Sequence, residues 1–231
     1  MRINLDASRN LLEICRAMQT SPKVVFTSSV AVYGGEMPDV VQDDTALNPK
    51  SSYGIQKAIG ELLLSDYSRR GFVDGRILRL PTISIRPGKP NQAASSFASG
   101  ILREPLNGQE AICPVSLTTK LWLLSPKFAI ENLIHGHEIN SEDLGVSRSI
   151  NLPGLSVTVD EMIGSLKRVA GDSVVTRIKM VFDDRIDKIV SSWPAAWNDV
   201  RAKRLGFKAD VDFDSVIQNH IQQELRGTFV K

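Results

Sequence analysis

The chain is poor in the features that announce several large functional classes. Its two cysteines, Cys15 and Cys113, stand far apart, without CxxC or histidine spacing. They read as buried or free thiols in a reducing compartment, which argues against a structural disulfide or a thiolate metal site. No apolar run approaches membrane-spanning length, and the opening residues lack the apolar stretch of a secretory signal. The expectation is a cytoplasmic protein with no membrane partner. A net charge of +2, with no basic run interleaved with aromatics, gives no electrostatic case for nucleic acid. Metal binding has little support: His135 and His137 are two apart on a predicted helix and face apart. Glycine-rich phosphate loops are missing too, since the first glycine is Gly34 and neither GxGxxG nor GxxGxxG occurs. No internal repeat or low-complexity tract stands out.

What is present is the rhythm of an α/β protein. From Asn4 to Met18, apolar residues at Leu5, Leu11, Leu12, Cys15 and Met18 follow helical spacing. Val24-Val25-Phe26 then begins a buried strand that runs into Thr27-Ser28-Ser29. A helix followed by a short, continuously apolar strand marks a parallel sheet covered on both faces. After a loop broken by Gly34, Gly35, Pro38 and Pro49, a helix is predicted over about Ser51–Arg69 and a strand over Arg76–Ile83. Further helices are expected near Ala93–Arg103, Pro126–His137 and Asp214–Arg226, with strands at Lys120–Leu124 and Ser149–Leu152. Thr158 and Glu161 have the spacing of a capping box. Trp122, Trp193 and Trp197 read as packing residues, and Lys167-Arg168 as a solvated face. No linker-like tract interrupts the chain, so it reads as one packed unit.

The chemistry gathers around Tyr53 and Lys57. Four apart on a helix, they share one face, so the ammonium can lie near the phenol oxygen. A phenol ordinarily titrates near pH ~10, and a fixed positive charge nearby favours phenolate. Such a tyrosine can exchange a proton closer to neutrality, as removing a proton from an alcohol requires when its hydride leaves. Alone the pair is weak, because most tyrosine–lysine pairs at this spacing are solvated. Ser29 changes the odds, since it ends a predicted parallel strand, where open α/β sheets place ligands.

With FTSSVAVYGG (Phe26–Gly35) followed by PKSSYGIQKAIGE (Pro49–Glu61), the chain resembles the extended short-chain dehydrogenases of the NAD-dependent epimerase/dehydratase family. INLDASRNLLE (Ile3–Glu13) is similar to the helix that precedes the family's serine strand. LRLPTISIRPGKPNQAASSF and GILREPLNGQE narrow the resemblance to the D-erythronate-oxidising group of sugar-acid dehydrogenases.

The resemblance implies a partial Rossmann-like, doubly wound parallel sheet with a smaller C-terminal α/β substrate region. Residues 1–90 would be the C-terminal half of the dinucleotide-binding domain. Residues 91–231 would be mainly substrate-binding, with some segments returning to the sheet. The implied cofactor is NAD or NADP. Tyr53 would be the general acid/base, and Lys57 would lower its pKa and grip the nicotinamide ribose. Ser29 would hydrogen-bond the reacting hydroxyl, and Asn4 would shape the site and connect Lys57 to a relay water. Pro81 and Ile83 would lie against the nicotinamide.

For substrate, dehydratases of the family carry Thr-Asp-Glu where Ser28-Ser29-Val30 stand here. Nucleotide-sugar epimerases carry Arg-Asp-Phe and Val-x-Asp where Lys120–Ser125 is largely apolar. A small-molecule sugar acid fits better. Arg86 is the candidate for its carboxylate, and Lys89, Ser95 and Ser96 are second in rank. An arginine in such a loop is about as often simply solvated. Aligning Ile3–Glu13 implies that roughly 90–100 residues of the usual domain, with the Gly-rich turn and first four strands, do not belong to this chain. The expectation is an open apolar edge on the Val24–Phe26 strand and a cofactor affinity lower by many orders of magnitude, with the geometry at Tyr53 kept but turnover impaired unless the missing part is supplied. A homodimer through the Ser51–Arg69 helix is a further implication. The alternatives are a non-catalytic remnant serving as a binding module and a nucleotide-sugar epimerase.

Overall fold

The computed structural model describes residues 2–89 and 93–230; Pro90, expected in a loop, lies outside them. In chain order the elements are α1 (Ala7–Met18), β1 (Lys23–Ser29), α2 (Ser52–Arg69), β2 (Asp74–Leu80), β3 (Thr82–Ile83), α3 (Phe97–Leu106), β4 (Ala111–Cys113), β5 (Lys120–Leu124) and α4 (Pro126–Glu138). They continue with β6 (Ser149–Asn151), β7 (Leu155–Thr158), α5 (Val159–Ala170), α6 (Asp172–Val175), β8 (Ile178–Met180), α7 (Asp184–Val190), α8 (Val200–Arg204) and α9 (Phe213–Gln223).

The chain divides into a first compact unit of Met1–Pro81, Ala129–Pro153 and Trp197–Lys208, and a second made of Thr82–Phe128, Gly154–Ala196 and Ala209–Lys231. The chain passes between them at single peptide bonds such as Pro81–Thr82 and Pro153–Gly154, so no linker composition exists to betray the division.

In the first unit, β1, β2 and β6 form a parallel sheet in that order. Alternate residues of each strand go to opposite faces. Val24, Phe26 and Ile77 pack with Leu12, Cys15 and Leu64 from α1 and α2. Val25, Leu78 and Ile150 pack with Leu133, Ile139, Ala202 and Phe207. Both faces are therefore covered, and the continuous apolar run of β1 is explained. Among the described residues β1 is the edge of its sheet. Helix α1 buries Leu12 and Cys15 but leaves Leu11 and Met18 more than half exposed, so only part of its predicted apolar face is used. Both cysteines are buried free thiols. His135 bonds the carbonyl of Leu205 through Nε2 at 2.7 Å and sits edge-on to Phe207, a packing role. Trp197 is buried and donates to Leu152 O at 2.6 Å.

The predicted strand Arg76–Ile83 is two strands. Pro81 supplies no N–H to a ladder, and the chain turns there from β2 to β3, which pairs with β5 in the second unit. That unit also holds an antiparallel β5–β7 pair and a separate parallel pair, β4–β8. Its core gathers Phe97, Ile101 and Leu102 of α3 with Met162 and Leu166 of α5 and Ile217 of α9. The capping box forms: Glu161 N–H donates to Thr158 Oγ1 at 3.1 Å, and Thr158 N–H donates to Glu161 Oε2 at 2.7 Å. Lys167 and Arg168 pair with Asp172 and Asp214.

At the start of β2, Arg76 is fully buried and ion-paired with Asp74, which also takes a 2.9 Å bond from Arg148. Burial pushes the Asp74 carboxyl up, but hydrogen bonds from Arg76 and Ser141 and the charges of Arg76 and Arg148 outweigh it and hold it below its ordinary value. A depressed carboxyl stabilises the fold above its unfolded pKa, and that stabilisation is lost as pH falls through the folded one. The urea midpoint of the wild type is expected to drop more than that of Asp74→Asn between about pH 5 and pH 3. Parallel curves for the two proteins would contradict this. Among the described residues no helix is long and apolar enough to cross a membrane.

Candidate active site

The site is built where β1 ends against the first turns of α2. Ser51 caps α2, its Oγ accepting from Gly54 N–H at 3.1 Å, and so fixes where the helix starts, two residues before Tyr53. Tyr53 is exposed, at 45%. Lys57, one turn on, is half-buried. Its ammonium donates to Thr27 O at 2.6 Å and lies 4.9 Å from the Phe26 ring centre and 5.7 Å from that of Tyr53. Two aromatic faces and one carbonyl thus hold a single cation. Burial pulls the Lys57 pKa below the ordinary lysine value.

Ser29 closes β1. Its Oγ accepts from Ala31 N–H at 3.2 Å and caps the short, buried 3-10 turn Val30–Val32. That is the ordinary turn role of a serine, but it uses a lone pair and leaves the O–H able to donate. Two glycines set the spacing between helix and strand. A Cβ on Gly54 would stand 1.9 Å from Ala31 O, and one on Gly60 would stand 2.6 Å from Phe26 Cζ. Gly54 adjoins Tyr53, and Ala31 lies two residues past Ser29, so this contact brings the two predicted groups to one place. Asn4 lies in a π-helical turn, Arg2–Asp6, ahead of α1, and α2 packs against that turn. The Asn4 carbonyl accepts from Ser8 Oγ at 2.8 Å, and its amide takes no part in the Lys57–Thr27 bond.

Beneath this surface lies a polar network that sequence reasoning misses. Glu61, one turn past Lys57 on the same helical stripe, accepts from Ser28 Oγ and from Arg79 through Nε at 3.0 Å and Nη2 at 2.7 Å. Arg79 Nη1 donates to Tyr33 Oη at 2.6 Å, and Tyr33 donates to Asn151 Oδ1 at 2.9 Å. Burial raises the Tyr33 pKa, which keeps the phenol a donor. The available signal is an arginine inside the apolar run Arg76–Leu80, since a charge in a two-sided strand needs a buried partner.

Of the remaining predicted residues, Pro81 is buried and ends the first of the three segments of the first unit. Ile83 and Arg86 belong to the second unit and are half-buried. The Arg86 backbone is tied at both ends: its N–H donates to Ser99 Oγ at 3.0 Å, and its carbonyl accepts from Arg103 Nη1 at 2.6 Å. Lys89 is exposed, and Ser95 and Ser96 are half-buried.

A doubly wound sheet with a serine, tyrosine and lysine at its C-terminal edge defines a class, and comparison with known proteins agrees. The profile of the NAD dependent epimerase/dehydratase family matches residues 1–121, and the chain belongs to that family. Its cofactor class is therefore NAD(P). Among individual relatives, the chain is 64% identical over 222 residues to D-erythronate dehydrogenase of Cupriavidus necator, covering 96% of this chain and 68% of the relative. It is 50% identical to D-erythronate dehydrogenase of Haemophilus influenzae, covering 96% of this chain and 70% of that one. The crystal structure of a nucleoside-diphosphate-sugar epimerase from Agrobacterium tumefaciens superposes with a TM-score of 0.94 at 49% identity, over 98% of this chain and 68% of that chain.

The residues fit one end of the cofactor. An ammonium held at the mouth of a parallel sheet beside an accessible phenol suits the hydroxyls of a nicotinamide ribose. For the pyrophosphate end the 231 residues offer no GxGxxG or GxxGxxG turn, and no residue is assigned to it.

Proposed function

We propose that the chain is an NAD(P)-dependent dehydrogenase that oxidises a secondary hydroxyl of a short sugar acid of the D-erythronate kind. The observation that carries this reading is the Lys57 ammonium, bonded to Thr27 O at 2.6 Å and facing the ring of an exposed Tyr53. The bound nicotinamide supplies the hydride acceptor. Tyr53 takes the proton of the reacting hydroxyl, Ser29 holds that hydroxyl through its own O–H, and Lys57 favours the phenolate and binds the ribose. Asn4 shapes the floor of the site from the turn before α1. Pro81 and Ile83 contact the nicotinamide, and Arg86 pairs the substrate carboxylate.

Two relatives named D-erythronate dehydrogenase, the nearer at 64% identity, support the sugar-acid substrate. The burial of Leu121, Trp122, Leu123 and Leu124 supports it over the epimerase alternative, because this run offers a nucleotide diphosphate no charged partner.

The test is a titration of the purified chain with NAD+ and NADP+, followed by tryptophan fluorescence, and then assay of D-erythronate against a nucleotide sugar. Saturable binding and reduced nicotinamide formed with D-erythronate are expected. Conversion of the nucleotide sugar instead would favour the epimerase. No binding at millimolar cofactor would leave a non-catalytic binding module.

A further inference from the structure

Five polar side chains are buried directly under the proposed site, and they form an ordered array. Ser28 of β1 is in register with Arg79 of β2, and Arg79 with Asn151 of β6. In-register neighbours of a parallel sheet point to the same face, so the three make one row across the sheet, one residue short of the ends of β1 and β2 and at the end of β6. Glu61 descends onto that row from α2, and Tyr33 closes it from the segment after the 3-10 turn. Glu61 is 2% exposed and Arg79 is 7% exposed.

Stability alone is a poor reason for such an array. A buried ion pair recovers little more than its desolvation cost, and here Asn151 Nδ2 is left without a hydrogen-bond partner. The array does fix a position. Tyr53, Lys57 and Glu61 follow each other at four-residue steps on α2, so what Glu61 grips sets the rotation and axial placement of the other two. The grip joins α2 to β1 and β2 together, whereas the Lys57–Thr27 bond reaches β1 alone.

We infer that Glu61 and Arg79 are positioning residues, which through their buried pair hold α2 where Lys57 meets Thr27 and the face of Tyr53. The kinetic part of this inference rests on the dehydrogenase reading; the geometric part does not. Neither residue touches the reacting atoms, and both act through Lys57.

Removing one partner would strand the other's charge and could unfold the chain. The informative variant is Glu61→Leu/Arg79→Met, which removes both charges and keeps most of the volume. In the [13Cε]lysine-labelled 231-residue chain, the Lys57 resonance is assigned by its loss in Lys57→Met. It is expected to titrate below the ordinary lysine value in the wild type, in line with its burial. In the folded double variant it should move up toward the ordinary lysine value. Should that variant not fold, Tyr33→Phe, which removes one oxygen from the array, should give a smaller move in the same direction. A Lys57 midpoint that stays put in a folded variant overturns the inference.

The kinetic arm asks whether Glu61 and Arg79 act through Lys57. The double variant is expected to lose about 100-fold in kcat/KM, as a misplacement near 1 Å would give. Adding Lys57→Met in that background should cost little more, because residues acting through one another are not additive. Fully additive losses would count against the inference. If the wild type oxidises no sugar acid, it is the dehydrogenase reading that fails, and the lysine titration decides this inference by itself.

Discussion

Replacing Tyr53 with phenylalanine is expected to lower turnover at least ~10²-fold, the usual worth of a positioned acid/base, and to leave cofactor affinity within about twofold. The substitution removes one oxygen and little else. The phenyl face that Lys57 approaches at 5.7 Å remains, as do the Phe26 face and the bond to Thr27 O. The ammonium should therefore keep its place, and the lost activity isolates the proton transfer. Lys57→Met differs in kind, because it deletes the charge that would hold the ribose as well as the one that favours phenolate. Affinity and turnover should fall together. Lys57→Arg should rescue little, since a planar fork does not fit a site shaped for a compact cation between two rings. Tyr67→Phe is the control: that hydroxyl donates to Glu13 on α1, so activity should stay at the wild-type level. Steady-state kinetics with a fluorescence titration of cofactor separate these cases. Wild-type turnover by Tyr53→Phe would remove Tyr53 from the role proposed for it.

The parts of this arrangement that could be read from sequence are those encoded locally. Thr158 three before Glu161, and Val24-Val25-Phe26 running into a serine, each carry their meaning within a few residues. The structure returns them as a capping box and a parallel strand, although Val24, Val25 and Phe26 are half-buried rather than buried. What was not legible depends on a partner distant in the chain. The strands Ala111–Cys113 and Ile178–Met180 are three residues each and exist because they pair with each other. Arg76–Ile83 looks like one strand because the change of sheet at Pro81 is decided by which strands lie alongside. Glu61 passes for a solvated helix residue until Arg79 and Ser28 are seen opposite it. In the same way Tyr53 and Lys57 are local on α2, but the residues that aim them come from three strands.

Gly54 illustrates this best, and a single methyl group there should have a large effect. A glycine in the first turns of a helix usually costs stability, so Gly→Ala is normally favourable by up to ~1 kcal/mol. Gly164, in the middle of α5, meets only the far end of the Arg168 side chain at 3.5 Å, and Gly164→Ala is expected to raise the melting temperature slightly. Gly54→Ala should do the reverse. Its Cβ would lie 1.9 Å from the carbonyl oxygen of Ala31 and 2.8 Å from the carbonyl carbon. Those are backbone atoms of a buried turn, so they cannot swing aside as a side chain would. Restoring ordinary contact requires α2 and the turn to separate by about 1.5 Å. Overpacking of this kind costs about 1–3 kcal/mol, which at this chain length is about 2–4 °C of melting temperature per kcal/mol. The loss of function should be greater than the loss of stability. The displaced helix carries Tyr53 away from Ser29, and a shift near 1 Å is enough to cost about 100-fold in turnover. Gly60→Ala meets only the tip of the Phe26 ring, which can turn, so it should be milder on both counts. Thermal melts and kcat for the three alanine variants give the comparison. If Gly54→Ala matched the wild type in both, the close approach of α2 to the serine turn would not be what holds the proposed site together.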